Sequence, residues 1–306
     1  MRALLFPGQG SQYVGMGSDF YENYKSVRDI FSKVDETLGF SLSNIILKGP
    51  ESDLKLTQNT QPAIMTVGVS IFNVLKNNFN LNLKNIKFFA GHSLGEYTAL
   101  VCAGALSLER AAYLLYERGK SMQESVPKDE GGMLAVLGMT MTEVENELKI
   151  LPKEDVCEIA NDNCEGQIVV SGKKKQIEIL NQNLKVKKKK GIFLPVSAPF
   201  HCSLMKSASI KMKDKIEETD LFRPNPSIIS NVTAKEEYDI NRIKPLLVDQ
   251  ITSKVRWRES VEYMIKENVT DFLEIGPGKV LSSLVKKINR SVRLSNVNSV
   301  KDIKND

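Results

Sequence analysis

The sequence predicts an α/β fold, a large domain on a parallel sheet with a small subdomain inserted into it, and three observations carry that expectation. A short apolar run, Ala3 to Phe6, ends in the glycine-rich loop Pro7-Gly8-Gln9-Gly10-Ser11-Gln12. A second, Ile86 to Ala90, breaks at Gly91 into a helix from Leu94 onward. Short runs of this kind, largely apolar and followed by a turn, fit buried strands. Third, between about 127 and 197 the elements follow the order βαββαβ, that of a ferredoxin-like split βαβ unit. The expected division is 1–126 with 198–306 for the large α/β domain and 127–197 for the subdomain.

Taken in order, residues 19 to 38 predict one amphipathic helix, with Phe20, Tyr24, Val27, Ile30, Phe31 and Val34 at three- and four-residue spacing. Thr60-Gln61-Pro62 opens another through Ile64, Val67, Ile71 and Leu75. Beyond the helix at Leu94, a further one runs from Ser107 to about Glu124, its apolar stripe traced by Leu108, Ala112, Leu115, Gly119 and Met122. In the subdomain the expected strands are Met133–Gly138, Val156–Asn161, Gln167–Ser171 and Ile192–Val196. Its helices are Thr140–Lys149, opened by the capping box Thr140-x-x-Glu143, and Lys174–Leu184.

Composition narrows the functional classes. A chain of 306 residues, 42% hydrophobic and 26% charged, can bury a substantial core. Its net charge of +5 is too mild for a nucleic-acid binder without basic-aromatic patterning, and would suit an acidic or phosphorylated partner. Four cysteines, Cys102, Cys157, Cys164 and Cys202, form no Cys-x-x-Cys pair, and two histidines are too few for most metal sites. Reduced thiols, a cytoplasmic location and no metal are the expectations. Met1 to Pro7 is too short an apolar run for a signal peptide, and nothing approaches the ~18 apolar residues of a membrane span.

Gly91-His92-Ser93-Leu94-Gly95 in a strand–turn–helix context reads as a nucleophile elbow. Its glycines leave room for a strained turn, and helix N–H groups sit where an oxyanion would form. The competing reading is a glycine-bounded structural turn. For the 7–12 loop, a tight strand-to-helix turn stands beside a second oxyanion-hole N–H. Arg118, at the edge of an apolar stripe, needs a partner. That partner is either an internal carboxylate or a substrate carboxylate gripped by the planar fork. His92 sits beside the elbow with its side chain directed away from Ser93, which leaves His201, just after Pro199-Phe200, as the candidate base or else a hydrogen-bonded structural histidine. The lysine runs 173–175 and 187–190 read first as solvated loop ends and second as docking surface.

These motifs together resemble the malonyl-CoA:acyl-carrier-protein transacylases over essentially the whole chain. The resemblance is carried by Phe6 to Gln12, Gly91 to Glu96, Arg118-Gly119 with Met122-Gln123, and Asn161 to Gly172. It continues through Pro199-Phe200-His201, Ser230 to Thr233, Gln250 and Glu274 to Gly278. It implies an α/β-hydrolase-like core with a ferredoxin-like insertion, and transfer of malonyl from malonyl-CoA to the phosphopantetheine thiol of acyl carrier protein for fatty-acid synthesis. Ser93 is the implied nucleophile, His201 the base, and Gln250 the residue orienting the histidine through its main-chain carbonyl. The implied oxyanion hole is formed by the amides of Leu94 and Gln9. Arg118, with Met122, Asn161 and Phe200, is implied in acyl-group binding, and Lys189, Lys286, Lys287 and Arg290 in meeting the carrier. No cofactor beyond the two substrates is expected, and a monomer is. Two other readings are an esterase, which should show an acid between serine and a histidine near the C-terminus, and a non-catalytic carrier-docking module.

Overall fold

Strands β1 (Arg2–Phe6) and β2 (Ile86–Gly91) lie side by side and parallel, in register from Ala3 opposite Phe88 to Phe6 opposite Gly91, so the glycine-rich loop and the elbow leave the same sheet edge together. The computed structural model describes residues 1–127, 129–152, 155–196 and 198–303. Four further strands precede the return to this sheet: β3 (Gly131–Leu137), β4 (Cys157–Cys164), β5 (Gln167–Lys173) and β6 (Lys190–Phe193). After them come β7 (Ser227–Ile229), β8 (Glu236–Glu237), β9 (Asp271–Ile275) and β10 (Arg293–Val297). The six-stranded sheet has the order β10-β9-β1-β2-β7-β8, parallel except for the short edge strand β8.

Ala3 to Phe6 and all of β9 are buried, as parallel strands covered on both faces must be. Alternation divides their side chains between two cores. Leu4, Phe6 and Phe89 face the helices Thr57–Asn78 and Gly95–Cys102; Ala3, Leu5, Phe88 and Ala90 face Trp257–Lys266 and Val280–Ile288. The second sheet, β4-β5-β3-β6, is antiparallel throughout. Leu134, Val136, Ile168 and Val170 pack under its helices Met141–Lys149 and Lys174–Val186, while Met133, Ala135 and Val169 join the large core from the other face. The capping box at Thr140 and Glu143 is formed as expected.

Several boundaries differ from the sequence reading. The single helix expected over 19–38 is two, Ser18–Asn23 and Lys25–Leu38, because Tyr24 adopts extended backbone. Arg28 Nη1 donates to the carbonyls of Tyr21 and Glu22 at this break. The apolar spacing runs through it because Phe20, Val27, Phe31 and Val34 all enter one core. The next helix starts at Thr57 rather than Thr60, with Pro62 inside it. Strand β6 occupies 190–193, not 192–196, since Pro195 cannot donate to a ladder. Strand β4 runs on to Cys164, with register shifts at Ile159/Asn161 and Asp162/Cys164, and Asn161 bridges to Val255.

Candidate active site

At the end of β2 the chain turns in a space that admits no side chain at either glycine. A Cβ on Gly91 would lie 1.9 Å from the Gly95 carbonyl, and one on Gly95 would lie 2.2 Å from the Phe6 carbonyl oxygen. Between them Ser93 is held at φ 54°, a left-handed conformation that costs on the order of 1–3 kcal/mol and persists only when its surroundings enforce it. They do so with two side-chain amides. Asn231 Oδ1 accepts from Ser93 N–H at 2.6 Å while Asn231 Nδ2 donates to the Gly91 carbonyl at 2.7 Å. Gln250 Nε2 donates to the Ser93 carbonyl at 3.1 Å.

The strained turn points the serine hydroxyl at His201. Ser93 Oγ lies 2.8 Å from His201 Nε2, and His201 Nδ1 lies 2.9 Å from the main-chain carbonyl of Gln250. A carbonyl can only accept, so Nδ1 carries the proton and Nε2 is free to accept from Ser93 O–H. Burial first, and the Arg118 charge second, push the His201 pKa down to about 3, which keeps the imidazole neutral at physiological pH. The Gly8 loop packs on the elbow so closely that a Cβ on Gly8 would come 2.6 Å from the His92 carbonyl oxygen. Among the described residues, the backbone N–H groups of Leu94 and Gln9 have no hydrogen-bond partner.

Arg118 is 1% exposed and lies directly beside this pair. Its Nη2 donates to Ser93 Oγ at 3.1 Å and to Gln250 Oε1 at 2.9 Å, and its Nη1 to Gln61 Oε1 at 2.7 Å. Its Nε has no partner, and among the described residues no carboxylate comes within the 4.0 Å of an ion pair. The internal ion pair weighed from the sequence is therefore absent from the described residues, and the guanidinium is held by neutral groups only. Met122, one turn further along, is buried with its sulfur 3.8 Å from Gln61 Nε2. Phe200 is buried beside His201. Asn161 Nδ2 approaches His92 Nε2 at 3.5 Å, and the same ring nitrogen meets Asn163 Oδ1 at 3.0 Å, so His92 is turned toward β4.

Of the four cations implied in meeting the carrier, Lys189 and Lys287 make contacts on the protein's own surface. Lys189 sits 3.8 Å from Glu143 and donates to the Gly138 carbonyl, whereas Lys287 donates to Gln167 Oε1 at 2.8 Å. Lys286 and Arg290 are exposed at the end of the helix Val280–Ile288. That helix borders a shallow groove of about 290 Å³ lined by Gln167, Lys279, Val280, Ser283, Leu284 and Lys287.

Sequence reasoning missed Gln61, Asn163 and Glu96, and it missed the side chains of Asn231 and Gln250. All but Gln61 stand within the stretches that carry the resemblance, which was the available signal. Glu96, 1% exposed, accepts at Oε2 from Asn231 N–H at 3.0 Å and from Gln250 Nε2 at 2.8 Å. Burial lifts its pKa to about 7 against those hydrogen bonds.

A neutral imidazole poised on a strained serine, with a buried cation at the hydroxyl, is built for nucleophilic attack on an acyl group. The class this defines on an α/β sheet is acyltransferase. A family model described as the acyl transferase domain matches residues 3–305, and the chain belongs to that family. It is 43% identical over 293 residues to the malonyl CoA-acyl carrier protein transacylase of Bacillus subtilis (strain 168), covering 95% of this chain and 91% of the relative. The crystal structure of acyl-carrier-protein-S-malonyltransferase from Bartonella henselae superposes with a TM-score of 0.95 at 42% identity, covering 98% of this chain and 96% of that one. A malonyl-transacylase in complex with its type II PKS acyl-carrier protein gives a TM-score of 0.94 at 36% identity, with 98% and 97% covered. Among the described residues no helix is long and apolar enough to cross a membrane.

Proposed function

We propose that this chain moves a malonyl group from malonyl-CoA to the phosphopantetheine thiol of acyl carrier protein, for fatty-acid synthesis, through an acyl-enzyme on Ser93. The observation that carries the reading is the contact of Ser93 Oγ with both His201 Nε2 at 2.8 Å and Arg118 Nη2 at 3.1 Å. His201 takes the Ser93 proton as the hydroxyl attacks the thioester carbon, and the N–H groups of Leu94 and Gln9 face the oxygen that becomes negative. The C–S bond then breaks and CoA leaves as the thiol with that proton. In the second half-reaction the carrier's thiol gives its proton to His201 and attacks the ester carbon, the bond to Ser93 Oγ breaks, and His201 returns that proton to the departing serine oxygen, leaving the malonyl group on the carrier. A thiolate leaves readily, its conjugate acid having a pKa near ~8.5, so the carbonyl of Gln250 suffices to orient the imidazole without an acid behind it.

Arg118 offers its remaining donor capacity to the malonyl carboxylate, with Met122, Asn161 and Phe200 bounding the acyl group. Without a carboxylate it stays a buried cation on neutral partners, which disfavours acetyl. No cofactor beyond the substrates enters this chemistry. Lys189, Lys286, Lys287 and Arg290 are the proposed carrier-facing charges, and the protein acts as a cytoplasmic monomer. The finer fold reading is an α/β-hydrolase-like core, 1–126 with 198–306, and a ferredoxin-like insertion, 127–197. It is supported by the order β4-β5-β3-β6.

Mass spectrometry of the intact protein after mixing with malonyl-CoA tests the proposal. One added malonyl mass is expected, located on Ser93 and absent in Ser93→Ala. A label that survives this substitution, or maps to a cysteine, sinks the reading.

A further inference from the structure

Beneath the elbow lies a carboxylate that the reaction above leaves unused. Glu96 and Arg118 are both buried and of opposite charge, and among the described residues they do not form an ion pair. One amide separates them. Gln250 presents Nε2 to Glu96 at 2.8 Å and Oε1 to Arg118 at 2.9 Å, while its main-chain carbonyl holds His201 at 2.9 Å. Turned end for end, that amide would aim N–H at the guanidinium and C=O at the carboxylate, so Glu96 and Arg118 fix its sense between them. Through Asn231, Glu96 also reaches the elbow itself, since it accepts from the Asn231 backbone N–H while the Asn231 side chain clamps Ser93 and Gly91.

We propose that Glu96 is a specificity-positioning residue of this site, the counter-charge of Arg118 in the free enzyme, and that it takes up one proton when a substrate carboxylate settles on Arg118. The inference rests on Arg118 gripping the malonyl carboxylate, as proposed above. Two carboxylates cannot both stay ionised around one buried guanidinium at low cost. Glu96 is the one able to yield, because both its donors converge on Oε2 and a proton on Oε1 removes neither bond. Its carboxyl already stands near 7. The charged groups acting on it are Arg118, which favours the anion, and Glu237, which opposes it and is paired with Arg242. Tyr97, its neighbour, stays protonated with its pKa raised to about 12. His201, across Gln250, is the other group that could gain the proton.

The chemistry of loading is proton-neutral below the CoA thiol's pKa of ~8.5: Ser93 hydroxyl and malonyl thioester give malonyl ester and free thiol. Any proton taken from solvent therefore belongs to the protein. The test is calorimetric loading of the whole enzyme in pairs of buffers with different ionisation enthalpies, using malonyl-CoA and acetyl-CoA, from pH 6 to pH 8. Uptake per malonyl-serine should climb from near zero toward one proton across that range, while acetyl-serine takes up none. The malonyl loading constant should fall on the order of tenfold per pH unit above 7. In Glu96→Gln, which keeps an acceptor oxygen, both effects should vanish. Equal uptake for the two acyl groups in the unaltered enzyme overturns the proposal, whatever the variant's folding. Uptake that survives in Glu96→Gln assigns the proton to His201 and overturns it too. Failure of the underlying reading looks different: Arg118→Ala would then lose malonyl and acetyl loading in parallel.

Discussion

Arg118 is the side chain on which specificity turns, and it is buried against Gln61, Gln250 and Ser93 with one nitrogen unpartnered. A charge-assisted bidentate contact in a dry pocket is worth on the order of 2–5 kcal/mol when truncated, or about 30- to several-thousand-fold in rate. Arg118→Ala should lose malonyl transfer by a factor in that range while acetyl transfer holds or rises, and Arg118→Lys should recover only part, lacking the fork. Parallel loss of both transfers with a lowered melting temperature would mean a structural arginine instead. His201→Ala should slow both half-reactions by about two to four orders of magnitude in single-turnover assays. The sequence pointed to Ser93, Arg118 and His201 because a glycine pair, a lone buried cation and a scarce histidine each leave a chemical trace. Amides leave none: Gln61, Asn231 and Gln250 come from three distant stretches, and only the fold turns their side chains on the same few atoms.

At the scale of elements, the parallel edge of β1 and β2 was legible because both strands are largely apolar and lead into glycine-bearing turns. The break at Tyr24 was not, since the 3.6-residue spacing continues across it, and its carbonyls are met by Arg28 from the next helix. The extension of β4 to Cys164 was equally hidden, because its last residues are polar and earn their place by reaching His92 and Arg258. The helix Val280–Ile288 is where an element-level prediction falls. Lys286 and Lys287 are exposed, so contacts with an acidic carrier are worth about 0.2–1 kcal/mol each and are screened by salt. Reversing both charges should raise the apparent KM for the carrier on the order of tenfold at low salt, by adding repulsion to the lost contacts. Malonyl-CoA loading should be unchanged. Equal losses in both half-reactions would locate the lysines at the CoA phosphates or in folding.

For the whole molecule, the buried site couples stability to pH through two groups shifted in opposite senses. His201 has its pKa pushed down to about 3 from an ordinary 6.5, so it stays neutral in the fold while the unfolded chain binds a proton; its contribution is present above 6.5 and lost as pH falls toward 3. Glu96 is lifted to about 7 from an ordinary 4.5, so its contribution is full below 4.5 and lost as pH rises toward 7. Between those ordinary values, 4.5 and 6.5, the fold holds its proton on Glu96 and the unfolded chain holds one on His201. The two slopes there, each about 1.4 kcal/mol per pH unit, cancel. Substitution uncouples them. Denaturant unfolding of the free enzyme at several pH values should show the stability difference between the unaltered protein and Glu96→Gln shrinking as pH rises through this window. The difference from His201→Ala should shrink as pH falls. Two differences that move in the same direction, or neither moving, would mean that the site is wet enough for both groups to titrate as they do in an unfolded chain. Arg118 would then lose the dry surroundings on which its discrimination depends.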